Sequence, residues 1–593
     1  MVLRTDATLS MPTATKTVLV VGIDFGTTFS GVSWLVCRPG SPRGQPEVVS
    51  QWPTSNYNRQ NNPDSLKVPS KVYYDTNGTF SWGYKIPAGV ETIEWFKLLL
   101  LNDGDLQNHL KGSSHLHDAK RLLSKLRKSP VQVTSDYLKA LWNHALKQIC
   151  DEKGSNFVDG MPFEVVLTVP AIWTDYARGR MYEAAKLAGI LKDRTAGETN
   201  LSFISEPEAA AIATMPELGN RGDLHIGDSF VVLDAGGGTV DIISYKINKL
   251  EPLSVSECVE GEAELCGATF LDKEFESLLK RFVGEKSWKK MNQVDIKRMM
   301  NNEWQHGIKT AFDRESDDYT VELPNHTHSA PLQFSSDELR PIFDKIIAQI
   351  NELATKQITA IKAKTRKQPK LLILVGGFGR SPYMFTYLKG ALKSGITVLQ
   401  ARGDKPWTAI CRGATISRAD ELNPTAVKQL QVQSRIARSN YGWVYRALFD
   451  SGIHDPRDKC WDDIQGMWLA DNQMQWVIKR GDDISLQKTK TYDYFQPWAA
   501  DERGQPNIEK TVHCCDDANP PSRMEEHIRP VATFTYQVPK PVETLEKVFK
   551  DKLNFYRMWR YEWKVSVSGA SFDVTLISDG KEEKMEKVFI DLK

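Results

Sequence analysis

Twice in this chain a strand rich in β-branched residues ends on an aspartate, breaks into glycines and hydroxyls, and resumes as a strand. The first occurrence is Gly22-Ile23-Asp24-Phe25-Gly26-Thr27-Thr28-Phe29-Ser30-Gly31, after Val18-Leu19-Val20-Val21. The second is Leu233-Asp234-Ala235-Gly236-Gly237-Gly238-Thr239-Val240-Asp241, after Phe230-Val231-Val232. One device repeated so far apart implies two related lobes. Glycine lets backbone N–H groups approach an anion closely, and successive N–H groups form an anion-binding nest. The hydroxyls of Thr27, Thr28 and Thr239 can donate to phosphate oxygens. An aspartate at a strand end can hold hydrated Mg²⁺, which keeps several waters and needs few carboxylates. Alone, the first element also fits an ordinary hairpin turn. The second resists that reading. Three consecutive glycines arise by chance in roughly one chain in five of this length, and requiring both aspartates and the threonine lowers this to roughly a few in 10⁵.

Leu371 to Val375 reads as a buried strand ending in Gly376-Gly377-Phe378-Gly379-Arg380-Ser381-Pro382. A Gly-Gly strand end lets a flat base approach the backbone, and Arg380 can stack on it. Such turns are common singly; this one gains weight as the third element after two phosphate loops. Between the loops, the pattern predicts a hairpin arm at Lys71–Tyr74, a helix from Asp136 to Cys150, a strand from Phe163 to Val169 and a helix from Asp175 to Gly189. A long amphipathic helix is predicted over Arg340 to Lys362. After about residue 420 the texture changes: tryptophans, turns and prolines become frequent. Trp563, Val565 and Val567, then Gly569-Ala570-Ser571, then Phe572, Val574 and Leu576 form a hairpin signal, so this part reads as a separate β-rich domain. Its tryptophans, among them Trp443, Trp461, Trp468, Trp476, Trp498, Trp559 and Trp563, fit core packing better than a ligand groove.

Lys and Arg total 76 against 75 Asp and Glu, a net charge of +1, which gives no reason to expect nucleic acid or a membrane surface as partner. No stretch approaches the ~20 apolar residues of a membrane helix. Residues 1–16 read as a flexible polar tail without the apolar segment of a secretory signal. The eight cysteines show no CxxC pair, and Cys514 and Cys515 after His513 have no second ligand pair at zinc spacing. A reduced, cytoplasmic protein is expected.

In this order, with Thr168-Val169-Pro170-Ala171-Ile172-Trp173 and Ile204-Ser205-Glu206-Pro207-Glu208-Ala209-Ala210-Ala211-Ile212-Ala213 between the loops, the sequence resembles the heat-shock-70 family of the actin-like ATPase superfamily. The resemblance runs over roughly residues 18–420. It implies an α/β fold: a two-lobed actin-like ATPase with duplicated RNase H-like lobes, plus the β-rich C-terminal domain. The implied divisions are a tail (1–16), a nucleotide-binding domain (17–420) and a C-terminal domain (421–593). Lobe I would span about 17–220, lobe II about 221–370, and the return to lobe I about 371–420. Thr425 to Ser439 lacks the family's leucine-rich acidic linker, and the chain ends Val588-Phe589-Ile590-Asp591-Leu592-Lys593 without its acidic tail. Ser439-Asn440-Tyr441-Gly442 and Asn472-Gln473-Met474-Gln475-Trp476 instead resemble the divergent heat-shock-70-like subfamily of animals and fungi.

The resemblance implies ATP/ADP and Mg²⁺ as cofactors. Asp24 and Asp234 would face the metal through water. Gly26, Thr27, Thr28, Phe29 and the Gly236-Gly237-Gly238-Thr239 run would cradle phosphates, with Phe29 where the family usually has tyrosine. Glu206, Asp241, Asp234 and Lys97 (in Glu94-Trp95-Phe96-Lys97-Leu98) would be catalytic. Lys309, from Gln305-His306-Gly307-Ile308-Lys309, and Gly376, Gly377, Phe378 and Arg380 would serve the nucleoside, with Trp407 where the family often has aspartate. Gly267 would be structural. The bland readings are a helix-dipole role for Glu206, a solvated Asp241, and surface or structural lysines at 97 and 309. The leading expectation is a slow Mg²⁺-dependent ATPase, chaperone-like or regulatory, acting on a protein partner or client. A nucleotide-binding scaffold without turnover is the alternative. No sugar substrate is expected.

Overall fold

The computed structural model describes residues 16–55, 65–87, 89–106, 114–171, 173, 175–216, 223–313, 315, 318–323, 330–392, 395–423, 430–485, 489–568 and 571–589. The expectations for the tail at 1–15, for Ile172, for 425–429, for the Gly569-Ala570 turn and for 590–593 fall outside them. The chain forms two compact units, one of residues 1–173 and 177–431, the other of 432–593 with 174–176.

The first unit contains two sheets built alike. In one, the order is Glu47–Val48, Phe29–Cys37, Val18–Phe25, Phe163–Val169, Asn200–Ser205. In the other, Leu253–Glu257, Val240–Leu250, Ser229–Ala235, Leu371–Val375 and Thr397–Gln400 follow the same plan. Each founding strand lies mid-sheet, antiparallel to its hairpin partner and parallel to a later strand on its other side. That placement explains its composition. Val18–Phe25 and Ser229–Ala235 are buried at every residue, as a strand covered on both faces must be, so their sequences are continuous apolar runs. Asp24 and Asp234 are the charged exceptions, each at a strand end.

Helix Ser336–Thr365 starts before its apolar pattern does, because Ser335 and Glu338 form a reciprocal capping box. Leu339, Phe343, Ile346, Ile350 and Ile361 then bury one stripe in the core beneath the second sheet. The return to the first sheet comes later than position 371. Leu371–Val375 and Thr397–Gln400 both belong to the second sheet, and helix Lys405–Leu422 crosses back. There Ser33 Oγ meets Thr415 Oγ1 at 2.6 Å and donates to the Cys411 carbonyl at 2.9 Å.

The second unit is almost wholly β. Lys459–Asp462, Met467–Ile478, Asn440–Leu448, Asn507–Cys515 and Arg529–Gln537 form one antiparallel sheet. Thr489–Trp498, Phe555–Ser568, Ser571–Ser578 and Lys581–Phe589 form another, with Glu546–Phe549 on Phe555–Ser568. The hairpin near the end has Val565 opposite Val574, the alternation its sequence carries. Tyr441, Trp443 and Phe534 of one sheet share a core with Trp559, Trp563 and Leu576 of the other. Trp461 and Trp468 lie outside that core, half-exposed and edge to face at 5.2 Å. Among the described residues no helix is long and apolar enough to cross a membrane.

Candidate functional site

Both phosphate loops, the Gly376-Gly377 turn and the helix pair around 305–310 converge on one cleft in the first unit. Asp24, Gly26, Thr27, Thr28, Phe29, Glu206, Asp234, Gly236, Gly237, Gly238, Thr239, Lys309, Gly376, Gly377, Phe378 and Arg380 all line it. Lys97 and Asp241 are not among the lining residues. Lys97 Nζ donates to Glu206 Oε1 at 2.6 Å in a buried ion pair. Asp241 stands opposite Asp234 in the second hairpin and borders a smaller hollow with Trp173 and Thr239.

The carbonyls of both loops are tied down by neighbouring donors. In the first, Ser70 Oγ donates to the Gly26 carbonyl at 2.7 Å and Ser70 N to that of Thr28 at 2.8 Å. In the second, the amides of Gly267, Ala268 and Thr269 donate to the carbonyls of Gly238, Gly236 and Gly237 at 3.2, 3.1 and 2.9 Å. Gly267 thus anchors the loop ahead of helix Thr269–Val283. The two loops also touch. A Cβ on Gly237 would lie 2.0 Å from Thr28 Oγ1, so only glycine permits the approach. Gly376, at φ +85°, leaves room for Asp234, whose Oδ1 would lie 2.3 Å from an added Cβ.

Glu206 opens helix Glu206–Thr214, capped by Ser205 Oγ on the amide of Glu208, and the whole helix is buried. Burial and the neighbouring Asp24 raise its carboxyl above the usual range, and Lys97 pulls it back part of the way. Asp234 is raised well above the ordinary value by burial, then by Glu206, Asp241 and Asp24. Asp241 is pushed up to about 7 by burial and Glu206, against a hydrogen bond from Thr239. Oδ1 of Asp234 and Oδ1 of Asp241 are buried without a hydrogen-bond partner. Concentrated carboxylate with orphaned oxygens fits a hydrated divalent cation.

At the other end, Lys309 Nζ donates to Asp272 at 2.7 Å and to Gln305 at 2.9 Å. The Arg380 guanidinium lies 4.7 Å over the Trp407 ring and pairs with Asp404 at 2.7 Å. Trp407 meets Phe29 edge to face at 5.7 Å, so these three form one contiguous wall of the cleft. Phe378 is 4% exposed, its ring in the core and its amide on the Ala235 carbonyl.

Sequence reasoning missed Lys67, which lines the cleft and pairs with Asp24. Burial works against its ammonium, but Asp24, Cys411 and Asp234 more than offset this and raise its pKa. The only local signal is a lysine just before Val68-Pro69-Ser70. Away from the cleft, Cys515, Asp517 and His527 hold three ligand-type atoms within 4.8 Å of one another; Asp517 and His527 are exposed and paired at 2.9 Å.

The family model for Hsp70 protein matches residues 117–433, and a domain of unknown function matches 435–496. The chain is 23% identical over 455 residues to heat shock 70 kDa protein 12A of Mus musculus, covering 62% of this chain and 64% of that one. It is 26% identical over 418 residues to chaperone protein DnaK of Thermosipho africanus, covering 68% of this chain and 60% of that one. To chaperone protein HscA of Proteus mirabilis it is 32% identical over 243 residues, 39% of this chain and 33% of that one. The match thus spans less than two thirds of each relative's length. A family model covering more than half the chain, including the second glycine loop, Glu206 and the Gly376-Gly377 turn, leaves one conclusion: the chain belongs to the Hsp70 family.

Proposed function

We propose that this chain binds ATP with Mg²⁺ in the cleft and hydrolyses it slowly to ADP and phosphate. In this reading nucleotide state controls how residues 432–593 engage a protein partner, in a chaperone-like or regulatory role in the cytoplasm. The supporting observation is the convergence of two glycine loops and the buried carboxylates Asp24, Asp234 and Glu206 on one cleft. The shared strand order of the two sheets supports a two-lobed, actin-like reading of residues 1–431.

Bound Mg²⁺ would supply charge neutralisation at the β- and γ-phosphates, its waters held by Asp24 and Asp234. The loop amides and the hydroxyls of Thr27, Thr28 and Thr239 orient the phosphate chain. Glu206, raised by burial, is placed to accept a hydrogen bond from the attacking water. Lys97 fixes the Glu206 carboxylate and stabilises charge behind it. The Arg380–Trp407–Phe29 wall and Lys309 hold the nucleoside.

One observation favours a second reading, a nucleotide-gated scaffold without turnover: Lys97 and Glu206 are committed to each other. Equilibrium dialysis with labelled ATP and Mg²⁺ tests what both share. Asp234→Asn is expected to weaken ATP about tenfold or more. Unchanged affinity would remove the cleft from consideration.

A further inference from the structure

The second unit gathers a thiol, an imidazole and a carboxylate at the foot of one loop. Strand Asn507–Cys515 ends at Cys515, and strand Arg529–Gln537 pairs back along it, with Cys514 opposite Arg529. The turn between them brings His527 Nε2 to 2.9 Å from Asp517 Oδ2 and 3.8 Å from Cys515 Sγ. The neighbouring Cys514 takes no part, because strand alternation sends it into the core shared by the two sheets.

The backbone of two of these residues is held in place. Asn440 is fully buried, and its Nδ2 donates to the carbonyls of Cys515 at 2.9 Å and Asp517 at 2.8 Å. Asp516, between them, is drawn aside by Ser439 at 2.6 Å and Arg529 at 2.7 Å. The Asp517 amide donates to Cys515 Sγ at 3.5 Å, a contact that favours a thiolate. Met474 and Ile528 pack with Cys515, so the thiol is buried, while Asp517 and His527 are half-exposed.

One contact here is incomplete without a cation. His527 Nδ1 faces Glu525 Oε2 at 3.6 Å, which favours a proton on Nδ1 and a lone pair on Nε2. That lone pair then meets an Asp517 oxygen, acceptor against acceptor. A proton on Nε2 joins only this pair, whereas a metal ion joins both atoms and the sulfur as well. In a tetrahedral zinc site, sulfur and nitrogen ligands stand about 3.6 Å apart, and nitrogen and oxygen ligands about 3.3 Å. The spacings of 3.8 and 2.9 Å are close to these, and all three atoms lie within 4.8 Å of one another.

We propose that Cys515, Asp517 and His527 bind one Zn²⁺, with a fourth position open to water, and that the ion fastens the loop joining these two strands. A thiolate and an imidazole favour zinc over the hard cations Mg²⁺ and Ca²⁺. On binding, the Cys515 thiol gives its proton to solvent and the metal replaces the Asp517–His527 hydrogen bond, with Glu525 left to orient the imidazole. The site lies within the second unit and does not depend on the nucleotide reading.

The test uses the full chain, stripped with chelator and free of nucleotide, with Co²⁺ as the spectroscopic stand-in for Zn²⁺. Equimolar Co²⁺ is expected to give the visible bands of a tetrahedral site and a thiolate-to-metal charge-transfer band, and added Zn²⁺ to abolish both. Cys515→Ser should lose the charge-transfer band. His527→Gln should weaken Zn²⁺ about 100-fold or more, and Asp517→Asn about tenfold or more, in competition with a chromophoric chelator. If Cys515→Ser does not fold, the two variants at the half-exposed positions carry the comparison. A wild-type cobalt spectrum without the charge-transfer band overturns the proposal, as does a Zn²⁺ affinity left unchanged by His527→Gln and Asp517→Asn.

Discussion

Glu206 and Lys97 meet at 2.6 Å with both side chains buried, so neither can be changed alone without stranding the other. Lys97→Met leaves a buried carboxylate without its partner and is expected to cost about 3–5 kcal/mol of stability. Removing both charges, in Lys97→Met with Glu206→Met, should return most of that loss, as read from thermal melting midpoints. Glu206→Gln keeps a hydrogen-bonding shape but loses the charge that, in the proposed hydrolysis, would orient water. It should keep ATP affinity within a few-fold and cut turnover about 10²–10³-fold in a quenched single-turnover assay. Gly237→Ala tests the contact between the loops. With a Cβ only 2.0 Å from Thr28 Oγ1, the loops must part, and ATP affinity should fall about tenfold or more by dialysis. Adding Thr28→Gly should recover part of it. The residues legible in the sequence were those in contiguous motifs, such as Asp24, Asp234 and Gly237. Lys67 was not legible, because its partner is 43 positions away and no local periodicity links them. Ser70, tying back the first loop, escaped for the same reason.

Elements were legible where one face of the pattern was continuous. Phe163–Val169 lies where its apolar run put it, and helix Ser336–Thr365 contains the Arg340–Lys362 stretch that periodicity marked. The segment before Lys309 was not read in detail, since Met300–Ile308 is a π-helix, whose wider turn no 3.6-residue pattern reports. Its geometry sets Trp304 flat on Phe275 at 4.0 Å and points Trp304 Nε1 and Lys309 Nζ at the same Asp272 oxygen. In the second unit, strand Asn507–Cys515 carries Lys510, half-buried between Trp443 and Tyr494, with Nζ donating to the Val444 carbonyl at 2.8 Å. Burial pushes its pKa down to about 8. At pH below about 8 folded and unfolded chains both carry the charge, and the folded state bears the full desolvation cost. Between about pH 8 and 10.4 only the unfolded chain keeps the proton, so this residue's contribution to stability rises with pH. Lys510→Met should therefore stabilise by about 1–2 kcal/mol at neutral pH, with the advantage shrinking towards about pH 10. Urea midpoints at the two pH values would check this.

At the scale of the molecule, the duplicated motif near 24 and 234 became two sheets that share the same order over five strands of the first unit. The repeat was visible because each copy is local. The strand-by-strand assembly was not, because Leu371–Val375 and Thr397–Gln400 join the second sheet through pairings far along the chain. The second unit's tryptophans divided by burial: Trp443, Trp559 and Trp563 sit in its core, whereas Trp461 and Trp468 are half-exposed. Composition alone could not sort them. The most direct test of the nucleotide reading is a single turnover, with the full chain in excess over labelled ATP and Mg²⁺ and the bound nucleotide identified after acid quench. Slow conversion to ADP that is lost in Asp234→Asn is the predicted result. ATP that stays bound and intact in the wild type, or ADP formed equally by Asp234→Asn, would contradict hydrolysis in this cleft.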